Sequence, residues 1–169
     1  MNRVLAPFVP LAVLAGSTGL AGCGFTPLYA KPGVTPGLAA IEVHAPHGRT
    51  AYLLSQDLNT NFAVDRSAPP VYRLDFTVAE RRYPRGLRID NVANLYETHV
   101  TVSYQLIEMA TGRLVKAGAE PIVVDYDVAD QPYAGIAAQQ NSQERAADEA
   151  ARRISTDLAI YFTSLAPKK

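Results

Sequence analysis

The chain has 169 residues, 48% of them hydrophobic, and its sixteen basic side chains balance sixteen acidic ones to a formal net charge of zero. That length suits one domain with a real core, and a neutral balance argues against nucleic acid as a partner, since binding it calls for a basic surface. One cysteine excludes an internal disulfide and a cysteine-based metal site, and the three histidines, His44, His47 and His99, are too scattered for a recognisable ligand spacing.

Arg3 precedes an apolar run from Val4 to Leu14, which relaxes through Gly16, Ser17, Thr18 and Gly19 into the small pair Ala21-Gly22. This is the pattern of a secretory signal. Because the next residue is the chain's one thiol, Leu20-Ala21-Gly22-Cys23 resembles a bacterial lipobox. The resemblance implies that residues 1–22 are removed and that Cys23 carries a diacylglycerol and an amide-linked chain such as palmitate. Each buried methylene contributes about 0.8 kcal/mol, so several chains on one residue hold a soluble domain at a membrane almost permanently. The alternatives are a buried structural cysteine and an uncleaved spanning helix, but Pro7, Pro10, Gly16 and Gly19 make Val4 to Gly22 a poor helix.

Residues 23–37 carry Pro27, Pro32, Pro36 and several glycines, and they read as an extended tether unable to form a helix. Its apolar side chains Phe25, Leu28 and Tyr29 lie on the bilayer interface, on a partner, or on the domain itself. Alternation predicts a short strand from Leu38 to Ala45, ended by Pro46-His47-Gly48. Thr50 is then the N-cap of a helix that begins near Ala51 and stops near Asn61 to Ala63, with Leu54, Leu58 and Phe62 as its buried stripe.

A strand over Val71–Ala79 alternates Tyr72, Leu74, Phe76 and Val78 with Arg73, Asp75 and Thr77. A longer one over Leu95–Met109 sets Tyr96, Thr98, Val100, Val102, Tyr104 and Leu106 against the polar face of Glu97, His99, Thr101, Ser103 and Gln105. A tight turn at Ala110-Thr111-Gly112-Arg113 leads to a strand over Leu114–Ala119, which Pro121 interrupts at a bulge or an edge before Ile122–Tyr126 resumes. After a loop over Asp127–Gly135, a helix from about Ala138 to Leu165 shows three-and-four spacing at Ala147, Ala151, Ile154, Leu158, Tyr161 and Leu165. The order β-α-β-β-β-α implies an α+β fold: a two-layer sandwich over residues 38–166, two helices on one face of a four-stranded mixed sheet.

Three stretches carry a resemblance to the LptE family of lipopolysaccharide-assembly lipoproteins, in its alphaproteobacterial branch. They are the opening Cys23-Gly24-Phe25-Thr26-Pro27-Leu28-Tyr29, the strand start Asn94-Leu95-Tyr96-Glu97-Thr98, and Gln139-Gln140-Asn141-Ser142-Gln143-Glu144 ahead of an alanine-rich helix. The resemblance implies an outer-membrane lipoprotein anchored on the periplasmic side, a position that Gly24 after the cysteine favours over inner-membrane retention. It implies a partner, the LptD β-barrel, whose lumen it plugs and whose assembly it assists, and it implies contact with lipopolysaccharide.

The connection Glu80–Arg88 holds Arg81, Arg82, Arg85 and Arg88. Guanidinium groups bind phosphate bidentately at any relevant pH, so this group is the candidate lipopolysaccharide contact, with Arg85 and Arg88 first and Arg81 and Arg82 behind. A solvated loop that keeps a sheet edge soluble is the plain alternative. Catalysis finds little support: Ser103 and His99 share a strand face without a nucleophile elbow, and Asp125, Asp127 and Asp130 lack the glycine and closing glutamate of a calcium loop. No cofactor beyond the lipid is expected. An anchored periplasmic enzyme or solute-binding module is the competing function.

Overall fold

The computed structural model describes residue 28 and residues 33–87, 93–128 and 132–165. In chain order these form helix α1 (Val34–Ala39), strand β1 (Ile41–His44), helix α2 (Arg49–Phe62), strands β2 (Tyr72–Leu87), β3 (Ala93–Glu108) and β4 (Arg113–Asp127), and helix α3 (Pro132–Leu165). The expected α+β sandwich is present, with α1 as an additional helix. Residues 1–22, Cys23, Gly24, Phe25, Tyr29, Arg88 and Asp130 lie outside the described residues.

The four strands lie in the order β1-β2-β3-β4. β1 runs parallel to β2, with Ile41 beside Tyr72, because α2 carries the chain back to the starting edge. The other two pairs are antiparallel. Alternation turns Leu74, Phe76, Val100, Val102, Tyr104, Leu106 and Ile122 to one face, where they are buried under Leu54, Leu58 and Phe62 of α2 and Ala147, Ala151, Ile154 and Leu158 of α3. Each fully buried leucine or isoleucine contributes about 1.5–3 kcal/mol, so this face holds the fold together. Among the described residues no helix covers the opposite face of the sheet.

Several local expectations are corrected. The stretch expected to be extended forms α1 from Val34, because Pro36 falls in the first turn, where its missing N–H has no intrahelical acceptor to lose. Leu38 belongs to this helix and not to the first strand, and it is buried with Val34. Leu28 packs against the core, which is the third of the places open to it. Gly48, at φ 130°, is the N-cap of α2. Thr50 instead donates its hydroxyl to Glu80 Oε2 at 2.8 Å. β4 passes through Pro121 without a break, and the register shift lies near Leu106 and Ile107 of β3. α3 begins at Pro132, where a proline suits the first helical position.

Candidate functional site

The largest correction concerns the arginine-bearing connection, which is strand and not loop. β2 continues through Leu87 and stays paired with β3, Arg85 beside Leu95 and Arg81 beside His99. From Ala79 onward the hairpin therefore extends the sheet by about 27 Å, at about 3.4 Å per residue. A strand alternates its side chains, so four neighbouring arginines do not make one cluster. Arg81 and Arg85 share the open face, Arg82 lies on the helix-covered face, and Arg88 falls outside the described residues.

Arg82 is committed to packing. Its Nη1 donates to Gln139 Oε1 at 2.6 Å and to the Tyr126 hydroxyl at 3.3 Å, and the guanidinium lies 5.6 Å from the centre of the Tyr96 ring. Arg85 is paired as well: its Nη2 donates to Glu97 Oε2 at 2.8 Å. The same carboxylate oxygen stands 2.9 Å from His99 Nε2, and His99 meets the Tyr83 ring edge-on at 4.8 Å. The hydrogen bond from Arg85, followed by that from His99, holds the Glu97 carboxyl below the usual carboxylate range. Arg81 makes no ion pair among the described residues, so it is the guanidinium ready for an anion from outside.

The open-face group is thus Arg81, Tyr83, Arg85, Glu97 and His99. Sequence alone placed Glu97 and His99 on the polar face of their strand but not beside the arginines. The signal was the two-residue period on both strands, and the missing quantity was the register between them. Chemically the group suits weak, exposed recognition of phosphate or carboxylate. It is not built for reaction: Ser103 and His99 are four residues apart on one strand, about 13 Å. Among the described residues no three His, Cys, Asp or Glu side chains gather as metal ligands.

Two other features lie near this end. Tyr133 and Ile136, in the first turns of α3, are 86% and 56% exposed. No helix among the described residues is long and apolar enough to cross a membrane.

The family model described as LptE, lipopolysaccharide-assembly, matches residues 38–158. The crystal structure of a candidate lipoprotein from Caulobacter crescentus is 46% identical, with 80% of this chain and 99% of that one covered at a TM-score of 0.70. Rare lipoprotein B from Shewanella oneidensis is 18% identical, with 74% and 96% covered at a TM-score of 0.52. Lipoprotein B from Nitrosomonas europaea is 15% identical, with 73% and 83% covered at 0.51. At such identities the last two show the fold alone. No functionally curated sequence matches. The match spans most of the sandwich, including both strands of the arginine hairpin, and the chain belongs to the LptE family, lipopolysaccharide-assembly lipoproteins that act without catalysis.

Proposed function

We propose that this protein is an outer-membrane lipoprotein that plugs an LptD-type β-barrel, assists its assembly, and helps pass lipopolysaccharide to the cell surface. Membership of a lipopolysaccharide-assembly family is the observation that carries this reading. On it, residues 1–22 are a cleaved signal, Cys23 bears the acyl chains, and the remaining chain stands on the periplasmic side of the outer membrane.

Chain reach adds an orientation. Ten peptide bonds separate Cys23 from Gly33 and span at most about 33–36 Å. Gly37 of α1 packs against the Phe162 ring, near the C-terminal end of α3. α3 has 34 residues and is about 51 Å long at 1.5 Å per residue. The anchor therefore stays at the α1 end, and the arginine hairpin with Tyr133 and Ile136 projects away from it, toward a barrel lumen. Within that lumen Arg81 and Arg85 are the proposed lipopolysaccharide contacts. Arg82 holds the fold, and Arg88 remains a candidate from its place in the sequence.

The test is purification of the tagged protein from detergent-extracted envelopes. Co-elution of an LptD-type barrel in fixed ratio is expected, together with fatty-acid labelling lost in Cys23→Ser. Absence of the barrel, even after crosslinking from position Tyr133, would overturn the partner assignment. Lipopolysaccharide pull-down unchanged by joint Arg81→Ser and Arg85→Ser would overturn the contact.

A further inference from the structure

The two edges of the sheet are guarded differently. In β4, the Val128 N–H bonds Asn94 O at 2.9 Å, so by alternation the even-numbered residues of its second half face β3 and the odd-numbered ones turn their backbone outward. That edge carries Pro121, which has no N–H to offer. Two of its outward carbonyls are also taken, Pro121 O by Arg153 Nη1 at 3.1 Å and Asp125 O by Arg145 Nη2 at 2.7 Å. Such devices keep a strand edge from pairing with another chain.

The β2 edge is guarded more lightly: it carries Pro84, but among the described residues no side chain takes any of its outward carbonyls. Tyr72 N–H bonds Ala40 O at 3.2 Å and Met109 N–H bonds Val71 O at 2.9 Å, so the even-numbered residues of β2 face outward. β1 covers only Tyr72 to Asp75 before Pro46 and Gly48 lead the chain into α2. From Glu80 to Gly86 the outward backbone has no partner among the described residues. It offers the N–H groups of Glu80 and Arg82 and the carbonyls of Glu80, Arg82 and Pro84.

We propose that this edge receives an added strand, an extended acidic segment of a protein partner running beside Glu80–Gly86. Backbone pairing supplies the attachment, and flanking side chains select the partner. On the open face Arg81, without an ion pair among the described residues, and Arg85, paired with Glu97, flank the incoming strand, whereas on the other face Arg82 and Glu80 are held by helix side chains. Acidic side chains at its facing positions therefore meet cations, whereas a second copy of this chain would set arginine against arginine. Phosphates of a lipid compete for Arg81 and Arg85 but leave the backbone groups unfilled. The edge stands apart from the barrel assignment, and its test uses no barrel.

The experiment is residue-resolved amide hydrogen exchange on the full chain in detergent micelles. The probes are a capped octapeptide alternating glutamate and valine and its lysine–valine counterpart, each on the order of 1 mM. The glutamate peptide is expected to slow exchange at Glu80 and Arg82 about tenfold or more, and the lysine peptide less than about twofold. Arg82→Pro removes an outward donor without touching the β2–β3 pairing, as Pro84 already does, and it should abolish the effect at Glu80. Arg82→Ser, which keeps the N–H, should retain most of it. No slowing with the glutamate peptide, equal slowing with both, or unchanged slowing in Arg82→Pro would overturn the proposal. So would protection already present without peptide: rising with protein concentration it would assign the edge to a second copy, and independent of concentration to a segment of this chain.

Discussion

Register sets Gly118 of β4 opposite Tyr104 of β3, and the tyrosine ring lies across the glycine. A Cβ at position 118 would stand 2.6 Å from Tyr104 Cζ and 2.9 Å from Cε1. The ring cannot move aside cheaply: it is buried, its hydroxyl donates to Asp157 Oδ2, and the same oxygen accepts from Lys116 Nζ at 2.8 Å. Three elements, β3, β4 and α3, thus meet at one carboxylate. Gly118→Ala displaces the ring, an overpacking that costs about 1–3 kcal/mol, and the lost bond to a charged acceptor adds about 1.5–3 kcal/mol. Relief of glycine's backbone entropy offsets about 0.5–1 kcal/mol, leaving a net loss of about 3 kcal/mol. Tyr104→Phe keeps the ring and forfeits only the hydrogen bond, at about 1.5 kcal/mol. In the double variant that bond is counted once, so its loss should fall short of the sum by about 1.5 kcal/mol. Urea unfolding followed by circular dichroism, with equal slopes across the variants, reads all three values. A Gly118→Ala protein within about 0.5 kcal/mol of the parent, or strict additivity in the double variant, would refute the linkage.

The same tyrosine predicts an alkaline limit. Burial, and then its bond to Asp157, push the Tyr104 hydroxyl well above the ordinary tyrosine range. A group raised in the folded state contributes stability that is whole below its unfolded value of about 10 and is lost as pH rises beyond it. Tyr104→Phe should flatten the fall in stability above that pH, and an unchanged slope would refute the assignment. Ser155 is buried in α3, and its hydroxyl has no hydrogen-bond partner among the described residues. Ser155→Ala should therefore stabilise by about 1 kcal/mol and raise Tm by about 2–4 °C, where a fall in Tm would show a partner for the hydroxyl. Glu97→Gln releases Arg85 from its ion pair, so lipopolysaccharide retention in a pull-down should rise about two- to fivefold; no rise, or a fall, would mean that Arg85 makes no such contact.

The covered face was legible because its periodicity is unbroken. From Thr98 to Leu106 every second residue is buried, and Leu54, Leu58 and Phe62 mark one side of a helix in the same way. What sequence missed turns on position within the sheet. Proline reads as a break, yet Pro84 and Pro121 sit inside strands, each on a free edge with the missing N–H turned away from the neighbouring strand. Pro36 was likewise tolerated in a first turn. The arginine group failed for a related reason, since nearness in sequence is not nearness in space when the period is two. Arg81 and Arg82 are adjacent and face opposite sides, while Arg85 finds Glu97 across the hairpin. Local propensity carries no register, so a pairing of this kind has no signal in either strand alone.

Charge on α3 shows why an edge cannot be judged by counting. Arg152 is spent within the helix on Asp148 and Glu149, whereas Arg145 and Arg153 reach across to the carbonyls of β4. Three similar side chains on one helix thus do two different jobs, and only those that cross the gap close an edge. On β2 the arginines do not cover the backbone. They repel a like-charged edge and leave the amide groups free for a segment of opposite sign. Staying apart from other copies and joining an acidic strand are then not competing demands, because Arg81 and Arg85 serve both.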